Sequence, residues 1–152
     1  MTRTRSFVRY WLPAIAWMII IFSASTDVMS SQHTSRVIGP ILRWVFPGIS
    51  EETVSRVQLV VRKCGHLTEY AVLAWLLWRA WRKPVRNDPR PWHWKEAGAA
   101  LLMAIAYSAS DEIHQLFVPS RQGQIVDVLI DTSGAVVGLL AVWVIGRWRK
   151  AW

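Results

Sequence analysis

The chain has 152 residues, 11 of them tryptophan, and a formal net charge of +8. That length is one domain's worth, and the single cysteine, Cys64, excludes an internal disulfide framework. The basic excess is not a nucleic-acid footprint: Lys and Arg cluster between apolar blocks, and no DNA- or RNA-binding motif accompanies them.

The first apolar block, Tyr10–Ala24, predicts a helix with Pro13 in its first turn, where a missing N–H does little harm. It reads as a retained anchor, because no small-residue cleavage site follows a short apolar core. The connection over residues 26–62 contains RVIGPILRWVF, suited to lying flat at a membrane surface. ISEETVSRVQLVVRK then opens with Ser50 as N-cap and Glu51 and Glu52 in the first turn. This helix is expected to run into the second block, about residues 63–81, with Gly65 as a candidate bend. The third block, about 96–118, and the fourth, about 125–146, reach the ~20 residues that cross a hydrocarbon core. The first and second must borrow polar flanks to do so. Pro84 and Pro119 follow the second and third blocks as stop signals, and Gly123 suits the tight turn before the fourth. No internal repeat or low-complexity tract interrupts the pattern.

The expected fold is therefore all-α: an integral membrane bundle of four transmembrane helices, about 10–26, 63–81, 96–118 and 125–146, with a helical outer connection between spans one and two. Basic residues orient it. Arg3, Arg5 and Arg9, then Arg79, Arg82, Lys83, Arg86, Arg90 and Lys95, then Arg147, Arg149 and Lys150 fall on one side. They outnumber Arg36, Arg43, Arg56, Arg62, Lys63 and Arg121 on the other, so the N and C termini should be cytoplasmic. Trp11, Trp78, Trp81, Trp92, Trp94, Trp143, Trp148 and Trp152 fit interface anchors.

This topology brings four polar segments to one depth. Lys63, His66 and Tyr70 share a helix face with Glu69 at its edge; Asp111, His114 and Gln115 share another, with Glu112 beside it; Asp127 and Asp131 are i, i+4 neighbours. Ser23, Ser25, Asp27 and Arg121 join them. An ionisable group in mid-membrane costs about 3 kcal/mol, less near the interface. These groups should therefore face one another across a polar pocket open to the outside.

Two readings compete for that pocket. In one, the groups form salt bridges and hydrogen bonds that fasten four helices. In the other, they do chemistry. His66 or His114 would be the general base or acid, oriented by a carboxylate such as Glu69 or Asp111, with Glu112 and Asp127 completing the acid–base set. Lys63 and Arg121 would hold a phosphate or carboxylate, with Tyr70, Gln115 and Asp131 as further substrate contacts. A divalent cation is a third candidate, since imidazole and carboxylate suit zinc or manganese, although no H-E-x-x-H pattern is present. Cys64 points off the shared face, and no serine stands in a nucleophile elbow. Gly134, Ala135 and Gly138 read as a helix-packing surface.

Three blocks in order carry a resemblance. Lys63-x-x-His66-x-x-Glu69-Tyr70, then Asp111-Glu112-Ile113-His114-Gln115 with Pro119-x-Arg121, then Asp127-x-x-x-Asp131-Thr132-x-Gly134-Ala135 together resemble the VanZ-like family of small bacterial membrane proteins, over about residues 10–145. The resemblance implies a bacterial cytoplasmic membrane location and a link to the cell envelope and to glycopeptide (teicoplanin-type) resistance. It supplies no reaction. Three functions follow as expectations. One is an enzyme acting on a lipid headgroup or cell-wall precursor by His/carboxylate chemistry. Another is a non-catalytic envelope factor that binds lipid or antibiotic. The last is a small transporter, disfavoured because the inner halves of the spans are nearly apolar.

Overall fold

The computed structural model describes residues 3–25, 31–84, 88, 90–117 and 124–150. Asp27, Arg86, Pro119, Arg121, Gly123 and Trp152 lie outside them. Six helices follow in order: α1 (Arg3–Tyr10), α2 (Leu12–Ser25), α3 (Ser31–Val45), α4 (Glu51–Arg82), α5 (Trp94–Gln115) and α6 (Ile125–Trp148). Among the described residues there is no strand, so the all-α expectation holds.

Local sequence explains the boundaries. The break between α1 and α2 falls at Trp11, just before Pro13, and Ile15 N still bonds Trp11 O at 3.0 Å. Ser50 caps α4 by accepting from Thr53 N at 3.2 Å, ahead of Glu51 and Glu52. Arg43 grips Glu51 through Nε and Nη2 at 3.0 and 2.7 Å, tying the end of α3 to the start of α4. That guanidinium holds the Glu51 carboxyl below the usual carboxylate range. Helix α4 has 32 residues and stays helical through Gly65. It ends at Lys83, whose φ of 49° is left-handed, immediately before Pro84.

The pairing of helices follows from side-chain size. Helix α4 packs most extensively on α6. Gly134 lies against the backbone of Leu67 and Gly138 against that of Ala71, so closely that a Cβ on either glycine would stand 2.2 or 2.4 Å from a carbonyl oxygen. Because both partners advance together along the chain, α4 and α6 are parallel. Helix α5 packs on both through a stripe of Ala97, Ala100, Ala104 and Ser108, all buried. Helix α2 runs antiparallel to α4: Trp17 Nε1 donates to Glu69 O at 2.9 Å and Tyr10 Oη to Pro84 O at 2.8 Å.

The helices over the four expected spans are not alike. Among the described residues, α6 alone is a helix of 18 or more residues that is also apolar enough to cross a membrane, with a mean hydropathy of 2.1. Helix α2 is apolar but has 14 residues, and α4 and α5 are long but carry charged ends.

One end of the bundle is basic and aromatic. Arg82 is buried, with Nη1 2.9 Å from Glu96 and 3.0 Å from Pro91 O and its guanidinium 5.7 Å from the Trp78 ring. Trp78 stacks on Trp92 at 5.3 Å, Trp92 meets Trp94 edge-on at 5.7 Å, and Trp94 approaches Trp143 at 5.8 Å. Trp78, Trp92, Trp94 and Trp143, among the expected interface tryptophans, thus gather at one end. Asp88 closes this end by bonding Arg90 Nη2 at 2.6 Å, and Arg90 holds its carboxyl well below the usual range.

Candidate functional site

The opposite end brings His66 together with the carboxyl groups of Asp111, Glu112, Asp127 and Asp131, in two arms. The first lies between α4 and α6. His66 Nδ1 stands 3.2 Å from Asp131 Oδ1, within ion-pair distance but off the line of a good hydrogen bond. Ser108 Oγ donates to the other oxygen, Asp131 Oδ2, at 2.6 Å. Asp131 is 1% exposed, so its carboxyl oxygens meet these two neighbours and not bulk water. One turn outward, Lys63 Nζ bonds Asp127 Oδ1. The two ion pairs continue the register of the glycine contacts: Lys63, His66, Leu67 and Ala71 along α4 meet Asp127, Asp131, Gly134 and Gly138, in that order, along α6.

The second arm lies between α2 and α5. Asp111 Oδ2 accepts from Ser25 Oγ at 2.6 Å and from Gln115 Nε2 at 3.0 Å. Gln115 Nε2 also reaches Glu112 Oε1 at 3.3 Å, and Glu112 Oε2 accepts from the backbone N–H of Gln124 at 2.8 Å, at the start of α6. Asp111, Glu112 and Gln115 are all buried. Tyr70 sits between the arms, fully buried, with its ring 6.4 Å from that of Tyr107. Tyr107 Oη donates to Met18 O and pins α5 to α2.

Several buried acceptors and donors are left over. Tyr70 Oη, Asp111 Oδ1 and His114 Nδ1 have no hydrogen-bond partner among the described residues. Buried polar atoms are nearly always satisfied, so these three are the polar contacts that the described residues leave open at this end. Among the described residues, no group of three or more His, Cys, Asp and Glu is placed to hold a metal ion.

The structure rearranges several expected roles. Asp131 is the carboxylate that stands within ion-pair distance of His66 Nδ1. Asp111 instead serves Ser25 and Gln115, and Glu69 offers its backbone carbonyl to Trp17. Lys63, expected as a cation for a substrate anion, is engaged by Asp127 with only 24% of its side chain exposed. The cause is the glycine contact, which draws α4 and α6 together and fixes this register. His114 lies on Phe22 of α2, ring centroids 4.5 Å apart. It does not join His66 in one acid–base pair. Cys64 is exposed and off the site, as its helical position predicts.

Ser108 is the residue that the sequence reading missed. The signal was available: Ala97, Ala100, Ala104, Ser108, Asp111 and Gln115 recur every three or four residues and form the buried stripe of α5. A hydroxyl in an otherwise alanine stripe, one turn before a buried carboxylate, needs a polar partner.

A family model described as VanZ/LLP1 matches residues 10–146. No curated protein and no solved structure matches the chain.

Proposed function

The chain belongs to the VanZ/LLP1 family, and from that premise we propose that it is an integral protein of the bacterial cytoplasmic membrane that acts on or binds a lipid headgroup or cell-wall precursor at the outer face. Exposure along α6 supports the membrane reading. Leu129, Val137 and Val144 are 62, 52 and 53% exposed, while Asp131 on the same helix is 1% exposed. Apolar groups outward and carboxylates inward is the arrangement a bilayer demands. The topology is four spans with both termini cytoplasmic, on the count of basic residues. At about 1.5 Å per residue, α4 is about 48 Å long and exceeds a ~30 Å hydrocarbon core. Its first turns thus extend beyond the bilayer, with α3 tied there by the Arg43–Glu51 pair.

The observation that carries the chemistry is the line Ser108–Asp131–His66. A carboxylate against Nδ1 fixes the imidazole and leaves Nε2 for proton transfer. His66 takes the proton of an attacking water or hydroxyl and returns it to the leaving group, so that the ring ends as it began. Asp131 orients the imidazole and stabilises the imidazolium in between. Tyr70 Oη and Asp111 Oδ1 contact the bound headgroup. The consequence falls in the envelope, as altered precursor or lipid presentation, a reading supported by the glycopeptide resistance that the sequence resemblance implies.

The test is a lipid and cell-wall-precursor profile of cells expressing the wild type, His66→Ala or Asp131→Asn, with teicoplanin susceptibility measured in parallel. Wild type should shift the profile and both variants should lose that shift while still inserting. Retained activity in both variants would leave binding alone as the function. Reporter fusions at residue 121 should report the outer side, and a cytosolic signal there would overturn the topology.

A further inference from the structure

The parallel packing of α4 on α6 leaves a long open groove on the outer flank of the bundle, with a volume of about 640 Å³. Its walls are apolar: Ala71, Val72 and Trp75 from α4, and Ala141, Val142 and Ile145 from α6. None of the site residues described above lines it. Two features fix what it fits. Its α6 wall runs from Gly138 to Arg149, which at about 1.5 Å per residue is about 16 Å, close to half of a ~30 Å hydrocarbon core. That is the depth of one leaflet. The groove then ends at Arg149, exposed at the basic, tryptophan-rich end of the bundle with Arg147 and Lys150 beside it in the chain. An apolar trench one leaflet deep with a guanidinium at its mouth is complementary to a lipid with an anionic headgroup.

We propose that the α4–α6 groove binds an anionic glycerophospholipid of the inner leaflet, its acyl chain along Val72, Trp75 and Ala141 and its phosphate on Arg149. This rests on the membrane reading of the fold, though not on any chemistry at the outer site. The lipid would seal the trench that the small residues at the α4–α6 contact leave open, and so hold in register the helices that carry His66 and Asp131.

The experiment uses the full chain purified in a neutral detergent, with native mass spectrometry after adding palmitoyl-oleoyl phosphatidylglycerol or the matching phosphatidylcholine. Wild type should retain one phosphatidylglycerol, roughly fivefold in preference to phosphatidylcholine, as expected for one basic contact. Arg149→Gln should remove the preference while leaving weak binding of both. Ala141→Trp and Ile145→Trp fill the groove from two heights and should abolish retention. Leu140→Trp, next to Ala141 but outside the groove, should keep it. Unchanged retention in whichever groove variant folds would overturn the proposal, and so would a dimer that Ala141→Trp dissolves with no lipid on the monomer. Either failure leaves the outer site untouched, whereas a cytosolic residue 121 would undo the outer site without altering lipid retention in detergent.

Discussion

Gly134→Ala tests the contact on which the site depends. The added Cβ would stand 2.2 Å from Leu67 O and 2.9 Å from Leu67 C and Cα. Even a close C–H···O contact needs ~3.3 Å, so α4 and α6 must part by about 1 Å. The obstacle is backbone, which no rotamer change relieves. A gap of that size forfeits roughly a quarter to a half of the dispersion energy of the contacts it opens, and packing is the main force holding helices together in lipid. Overpacking of this kind costs about 2 kcal/mol, and Gly138→Ala, at 2.4 Å from Ala71 O, should cost about the same. Gly65 and Gly98 supply the control. Both are helical and a Cβ on either meets nothing within 4 Å. Alanine there should stabilise by about 0.5–1 kcal/mol through helix propensity alone. Reversible unfolding in mixed micelles reads all four. The reasoning fails if Gly134→Ala is neutral, or if all four alanines shift stability in the same direction.

Three further outcomes follow from the ion pairs. Lys63→Met or Asp127→Asn alone should destabilise by about 3 kcal/mol, because each strands a partly buried charge, while the double variant should cost less than either single. Additive losses in a double-mutant cycle would mean the pair is not coupled. Arg82→Ala should cost about 3 kcal/mol or more, since it leaves Glu96 and the Pro91 carbonyl without their donor at a buried position; recovery by Arg82→Lys would contradict the multidentate role. At Asp88 the carboxyl is depressed in the folded chain by Arg90. Its stabilisation is therefore full above the ordinary carboxylate pKa of about 4 and is lost as pH falls through the lower folded value. Asp88→Asn should flatten the loss of stability below about pH 4, and an unchanged acid profile would remove Asp88 from that account.

Helix content, the capping of α4 by Ser50 and the stop at Pro84 were legible because they depend on neighbours a few residues apart. So was the gathering of His66, Asp111, Glu112, Asp127 and Asp131 at one end, since a periodic apolar chain that reverses direction at its polar loops can place its charges only at matching levels. Partnership within that level was not legible. Whether His66 meets Asp131, Glu69 or Asp111 depends on which helices touch and in what register. That was decided by Gly134 and Gly138 bringing the backbones of α4 and α6 into contact, by the alanine stripe that seats α5, and by Phe22 packing on His114. Helical spacing tells which side chains share a face, whereas which face meets which is settled only when all the helices compete for the same neighbours.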